Sequence, residues 1–133
     1  MKSLYIIAPY APRNEQSISS NVMVAVKATA KIIDLDTEEY FAPLVIHAVG
    51  WMVSSHVDKS EDYWYKYTMS HLERCDAAII VADIETSKGS QQEISACEDL
   101  GIPWTQLLNT SPSELKQALT YLKWKLEGGK RES

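Results

Sequence analysis

The run from Asp76 to Asp83, "DAAIIVAD", holds six apolar residues without a polar break. It narrows the folds open to this chain more than any other feature. An alternating strand can leave one face in water, whereas a continuously apolar strand has to be covered on both. A helical pattern follows, with Ile94, Cys97 and Leu100 on one face and Gly101 as its stop. A central strand with helices on both sides implies strand-helix-strand crossovers and a parallel sheet.

The rest of the chain repeats that alternation. "SLYIIAPY" reads as a first buried strand that stops at Pro9 and Pro12. After the polar "RNEQSISS", Val22, Ala25, Val26, Thr29, Ile32 and Ile33 recur at spacings of three and four and predict a helix with one apolar face. "YFAPLVIH" reads as a second strand, interrupted by Pro43 and closed by His47. Trp64, Tyr67, His71 and Cys75 predict a helix, while the segment just after His47 has no decisive period. "IPWTQLLN" gives a further strand, and Ser111, Pro112 and Glu114 form an N-cap, a first-turn proline and a capping acid for a last helix. The face of that helix is Leu115, Leu119, Leu122 and Leu126. The expected fold is α/β, a flavodoxin-like three-layer sandwich with a mainly parallel sheet of four or five strands in the order 2-1-3-4-5. One domain over residues 1–128 and a frayed tail at 129–133 are expected, since 133 residues at 45% hydrophobic content suffice for a single core.

Charge removes one class of partner. A net charge of -5 leaves no positive surface for tracking nucleic acid, although a small anion can still be held by backbone amides. Cys75 and Cys97 lack any CxxC spacing, and His56 and His71 have no ligand at metal spacing, so neither a metal nor an organic cofactor is expected. The first apolar run is too short for a signal peptide and no segment has the length of a membrane span, which points to a cytoplasmic protein and no membrane partner.

In sheets of this kind ligands bind beyond the C-terminal strand ends, where the winding reverses. That rule selects the loops at 9–17, from His47 onward, and at 83–90. The third contains "SKGSQQE". Gly89 allows close backbone approach, and Ser87 and Ser90 with the amides of a helix start suit a phosphate. Glu93, one turn further on, would be favoured as an anion by the helix dipole, which suits a nucleophile or an electrostatic stabiliser. The competing reading is a capping box, Ser90 to Glu93, in which the glutamate serves only its helix. His47 stands at the expected ligand edge, where it would either contact the ligand or cap the strand.

The strand ending "APY", the helix "SNVMVAVKATAKII", the strand ending "PLVIH" and the stretch "HLERCDAAIIVADIETSKGSQQEISACEDLGIPW" together resemble the nucleoside 2-deoxyribosyltransferase superfamily, and within it the small bacterial and phage domains related to 2'-deoxynucleoside 5'-phosphate N-hydrolases. The likeness spans about residues 4–108 and is sharpest at "SxGSxxE". It implies that Glu93 attacks the anomeric carbon of a 2-deoxyribosyl group and displaces the base. It also implies that Tyr10 lies near the glycosidic bond and that Ser87, Gly89 and Ser90 hold the sugar or its 5'-phosphate. Asn109 matches a position from which relatives complete a neighbouring subunit's site, so a homodimer or homotetramer is implied. The aromatics Trp51, Tyr63, Trp64 and Tyr65 suit such an interface. Where the family carries a second acid, this chain has Thr68, Met69 and Ser70. Retaining glycosyl transfer uses two carboxyl groups, and Asp83, or less directly Glu85, would serve as proton donor. Without a donor the domain would be a nucleotide or signal-nucleotide binding protein that lacks turnover, or a phosphate-binding interaction module.

Overall fold

The computed structural model describes residues 1–8, 18–54, 56–81, 88–107 and 109–129. Its elements alternate as β1 (Lys2–Ile7), α1 (Ile18–Leu35), β2 (Phe41–Leu44), α2 (Ile46–Ser54), α3 (Glu61–Leu72), β3 (Ala77–Ile80), α4 (Lys88–Leu100), β4 (Trp104–Gln106) and α5 (Pro112–Leu126). Among the described residues the sheet has four strands, all parallel, in the order β2-β1-β3-β4.

The two central strands lie in register with Leu4 beside Ala77 and Ile7 beside Ile80. Their side chains alternate between two buried layers, as a parallel sheet covered on both faces requires. Leu4, Ile6, Ala77 and Ile79 meet Ala25, Ala28 and Ile32 of α1 and Leu115, Leu119 and Leu122 of α5. On the other face Tyr5, Ile7, Ala78 and Ile80 meet Leu72, Cys75, Cys97 and Ile102. The result is a three-layer α/β sandwich. Among the described residues no helix is long and apolar enough to cross a membrane.

Carboxylates fix the strand starts. Asp36 accepts hydrogen bonds from the Tyr40 and Phe41 amides at 3.2 and 2.8 Å, and Asp76 accepts from the Ser3 amide at 2.8 Å. The last helix starts as its sequence predicts: the Ser111 hydroxyl accepts from the Glu114 amide at 3.3 Å, with Pro112 opening the helix. At the end of α4 the chain turns through Gly101 at φ 71°, a conformation in which glycine carries no Cβ penalty.

Three sequence expectations are corrected. The second strand ends at Leu44, not at His47, which instead lies in the first turn of α2. Among the described residues β2 is an edge strand that pairs only with β1, and Pro43 has no amide to extend the ladder, so the chain turns early into a helix. The segment of undecided period is that helix. Ile33, assigned to the buried face of α1, is 60% exposed, and Leu100, assigned to the apolar face of α4, is 54% exposed at the last turn of that helix. The core side of α1 is defined by Val22, Ala25, Ala28 and Ile32, and Ile33 lies about 100° round from Ile32.

Candidate functional site

From β1 the chain passes through α1 to β2 on one side, and from β3 through α4 to β4 on the other. The C-terminal ends of β1 and β3 are therefore the switch point of the sheet, and α1 and α4 both start beside it. Among the described residues three polar or charged side chains are buried, Asn21, Ser90 and Glu93, and all three belong to the opening turns of these two helices. Each engages its surroundings through polar interactions.

Helix α4 begins at Lys88, so Ser90 is already inside it and cannot be its N-cap. Ser90 and Glu93, 1% and 2% exposed, both turn inward. A capping-box glutamate reaches back to the amide of the N-cap residue, and Ser90, inside the helix, does not hold that position. With 1.5 Å of rise per residue, Glu93 sits about 4.5 Å deeper along the helix than Ser90. The site thus combines a small hydroxyl near a helix start with a carboxylate one turn behind it.

Glu93 faces the layer that contains Tyr5, Cys97 and Cys75. Burial raises the Tyr5 phenol well above its usual value, and the charge of Glu93 and a hydrogen-bonding contribution from its carboxylate raise it further. Among the described residues the Tyr5 hydroxyl closes no hydrogen bond of ordinary geometry. What links Tyr5 to Glu93 is therefore electrostatic proximity. Cys97, one turn beyond Glu93 on α4, is pushed up to about 12 by burial first and by Glu93 next. Cys75 is pushed up to about 11 by burial and then by Asp76. The groups behind Glu93 thus stay protonated at neutral pH and do not compete with it for charge.

The remaining sequence-derived candidates separate. Tyr10, Asp83, Glu85 and Ser87 lie outside the described residues. Gly89 is exposed in the first turn of α4, and a Cβ built on it meets nothing within 4 Å, so no described neighbour demands glycine there. His47 follows the end of β2 as part of α2. Asn109 is exposed, and its Oδ1 accepts from the Ser111 amide at 2.9 Å, which ties it to the start of α5 in its own chain. Thr68, Met69 and Ser70 are half-buried on α3 and bring no acid. On the same helix Trp64 stacks edge-on with Tyr63 and Tyr67, while Tyr63 and Tyr65 remain exposed. Among the described residues no group of three or more His, Cys, Asp or Glu side chains could hold a metal ion.

Two residues of this site escaped the sequence reading. Tyr5 looked like one more apolar member of β1, and only the alternation of that strand, which puts Tyr5 on the face of Ile7 and Ile80, could have shown it opposite α4. Asn21 stands in "SSNVM" next to polar residues that suggest an exposed helix start, yet it shares a face with Ala25 and Ala28 and is buried with them. No protein-family model, no curated protein and no solved structure matches this chain.

Proposed function

We propose that this protein cleaves or transfers the N-glycosidic bond of a nucleoside or nucleotide, in the manner of the nucleoside 2-deoxyribosyltransferase superfamily, with Glu93 as nucleophile. One observation carries the reading: a carboxylate 2% exposed, turned inward from α4 at the switch point of a parallel sheet. A carboxylate removed from water costs several kcal/mol, and such costs concentrate where an anion has work to do.

In the first step a Glu93 oxygen attacks the anomeric carbon, the bond from that carbon to the base nitrogen breaks, and the base leaves with its electron pair. Asp83 is the candidate to supply the proton that neutralises the departing base. The glycosyl ester is then opened at the same carbon by water, giving the free sugar and a released proton, or by a second base, giving a new nucleoside. Ser87 and Ser90, with the α4 amides, would hold the 5' side of the sugar, and Tyr10 and His47 would border the base. Such substrates would place the enzyme in the cytoplasm, as a homodimer or homotetramer in which Asn109 reaches a neighbour.

A second reading, nucleotide binding without turnover, is favoured by one feature, the absence of a carboxyl group at Thr68 to Ser70. Incubation with a panel of deoxynucleosides and their 5'-monophosphates, followed by chromatography for free base, separates the two. Base release that disappears in Glu93→Gln supports the first. Saturable binding of a monophosphate with no release from any substrate supports the second.

A further inference from the structure

Helix α3 carries a row of aromatic side chains beside the candidate site. Trp64 meets Tyr63 and Tyr67 at 5.2 and 5.6 Å between ring centroids, with interplanar angles of 81° and 71°. Tyr63 is exposed, while Trp64 and Tyr67 are half-buried. α3 leads into β3 and α4 leaves it, so both helices run from the C-terminal edge of the sheet toward its N-terminal edge, and they pack against each other. Tyr67 also packs on the cluster of Tyr5, Ile80 and Cys97, the layer that Glu93 faces. Counted back from the helix ends at Leu72 and Leu100, Tyr67 lies about 7.5 Å, Glu93 about 10.5 Å and Trp64 about 12 Å toward the C-terminal edge. Glu93 is therefore level with the step between the two rings. The outermost ring of the row holds a cation, with Lys59 Nζ 5.2 Å from the Tyr63 centroid. Such ring faces attract positive charge through their π-electrons.

We propose that the α3 row is the subsite for a base that carries a positive charge, a pyridinium or an N7-alkylated purine, and that nucleotides of such bases are the substrates on which Glu93 acts. The inference rests on the reading of Glu93 as nucleophile and adds the class of base. As a Glu93 oxygen bonds to the anomeric carbon, the bond from that carbon to the ring nitrogen breaks, and its electron pair cancels the positive charge on the ring. The base leaves neutral and consumes no proton. Water then opens the glycosyl ester and releases one proton, so the sum is cationic nucleotide and water giving sugar phosphate, neutral base and a proton. This leaving group matches what surrounds Glu93. Among the described residues Tyr5 and Cys97 hold their protons well above neutral pH, and Thr68, Met69 and Ser70 bring no acid, so none of these is a ready donor to a departing base. Asp83, the candidate donor for a neutral base, is not needed by a charged one.

Binding tests the class of base separately from turnover. Glu93→Gln protein, which cannot form the ester, is titrated by calorimetry with nicotinamide mononucleotide and with its reduced dihydropyridine form, which has nearly the same size and no ring charge. The oxidised form should bind at least about fivefold more tightly, the effect of two ring-cation contacts. Tyr67→Leu and Trp64→Leu, added singly to Glu93→Gln, should each cut that preference to about twofold or less, and Tyr67→Phe should keep it, with circular dichroism confirming the fold. Equal binding of the two forms, or a preference that survives both leucine variants in folded protein, overturns the proposal. In wild-type protein, 7-methyl-2'-deoxyguanosine 5'-monophosphate should release its base at least about tenfold faster than the unmethylated nucleotide, after subtraction of spontaneous release. Equal rates overturn the charged-base class and leave Glu93 as nucleophile. A binding preference without release from any substrate supports the subsite and removes the chemistry assigned to Glu93.

Discussion

Replacing Glu93 by glutamine separates a working carboxylate from a structural one. Glutamine keeps the length and one carbonyl oxygen and removes the charge. Two opposed contributions follow from the burial of this side chain, which is 2% exposed. Charge-assisted hydrogen bonds become neutral ones, a loss of about 1–2 kcal/mol. The desolvation penalty of the buried ion disappears, and that is a gain of at least similar size. The net change is expected within about 2 kcal/mol in either direction, which at about 4 °C per kcal/mol shifts the melting temperature by no more than about 8 °C. Glu93→Ala instead leaves a cavity and is expected to cost about 2–4 kcal/mol, hence about 8–16 °C. Both should lose base release by at least about 10³-fold, because neither offers a nucleophilic oxygen anion. The measurements are thermal melts and chromatographic counting of free base. An internal reporter is also available: with the Glu93 charge gone, Cys97 should titrate below its present value of about 12, yet stay above an ordinary thiol because burial is its larger cause. A Glu93→Gln protein with wild-type turnover refutes the nucleophile assignment, and an unmoved Cys97 refutes the placement of the charge.

Ser90→Ala should weaken 5'-monophosphates more than free nucleosides, because Ser90 is buried in the first turn of α4 where an anion would be held; equal weakening of both classes in calorimetric titration removes that role. Tyr5→Phe should leave stability unchanged or raise it by about 1 kcal/mol, since it removes a buried hydroxyl without an ordinary hydrogen bond among the described residues; a loss above about 1.5 kcal/mol in urea denaturation would show that the hydroxyl bonds to Glu93. Stability should fall as pH rises from about 9 to about 12. The folded state holds the Cys97, Cys75 and Tyr5 protons more tightly than the unfolded chain, so their contribution is complete below the unfolded thiol value of 9.0 and is lost as pH passes about 11 and 12; a flat urea midpoint across that range would contradict it.

The fold was legible where a residue's pattern depends on its own element. The apolar run of β3 dictated helices on both faces, and Ser111, Pro112 and Glu114 marked the start of α5 at the residue where it begins. Legibility failed where a third element decides. "IHAVGWMVS" satisfies neither period alone, and only the shortness of the edge strand β2 releases it as a helix. The capping-box spacing of Ser90 and Glu93 was real, but its meaning depended on a helix start two residues earlier, at Lys88, which no cap chemistry in "SKGSQQE" marked uniquely. Tyr5 and Asn21 were missed for a related reason. Each is polar at one atom and apolar in company, and which of these governs is settled only by what lies across from it.

The spacing of Ser90 and Glu93 also limits how a substrate can lie. Two anions cannot share the α4 start without cost: at an effective dielectric near 20, unit charges 5 Å apart repel by about 3 kcal/mol, and at 10 Å by about 2 kcal/mol. On the proposed function a phosphate would lie outward of Ser90, at the first amides of α4, with Glu93 one turn deeper. In a nucleoside 5'-monophosphate the sugar ring and one methylene separate the phosphate from the anomeric carbon, and that separation lets the carbon reach a carboxylate while the phosphate stays clear of it. A ligand with charge and reacting centre adjacent, such as a sugar 1-phosphate, would bring its anion against Glu93 and should bind more weakly than the 5'-phosphate isomer. Competition of 2-deoxyribose 1-phosphate and 2-deoxyribose 5-phosphate for the same site measures this. Equal affinities would mean that the helix start and the carboxylate do not act on one ligand.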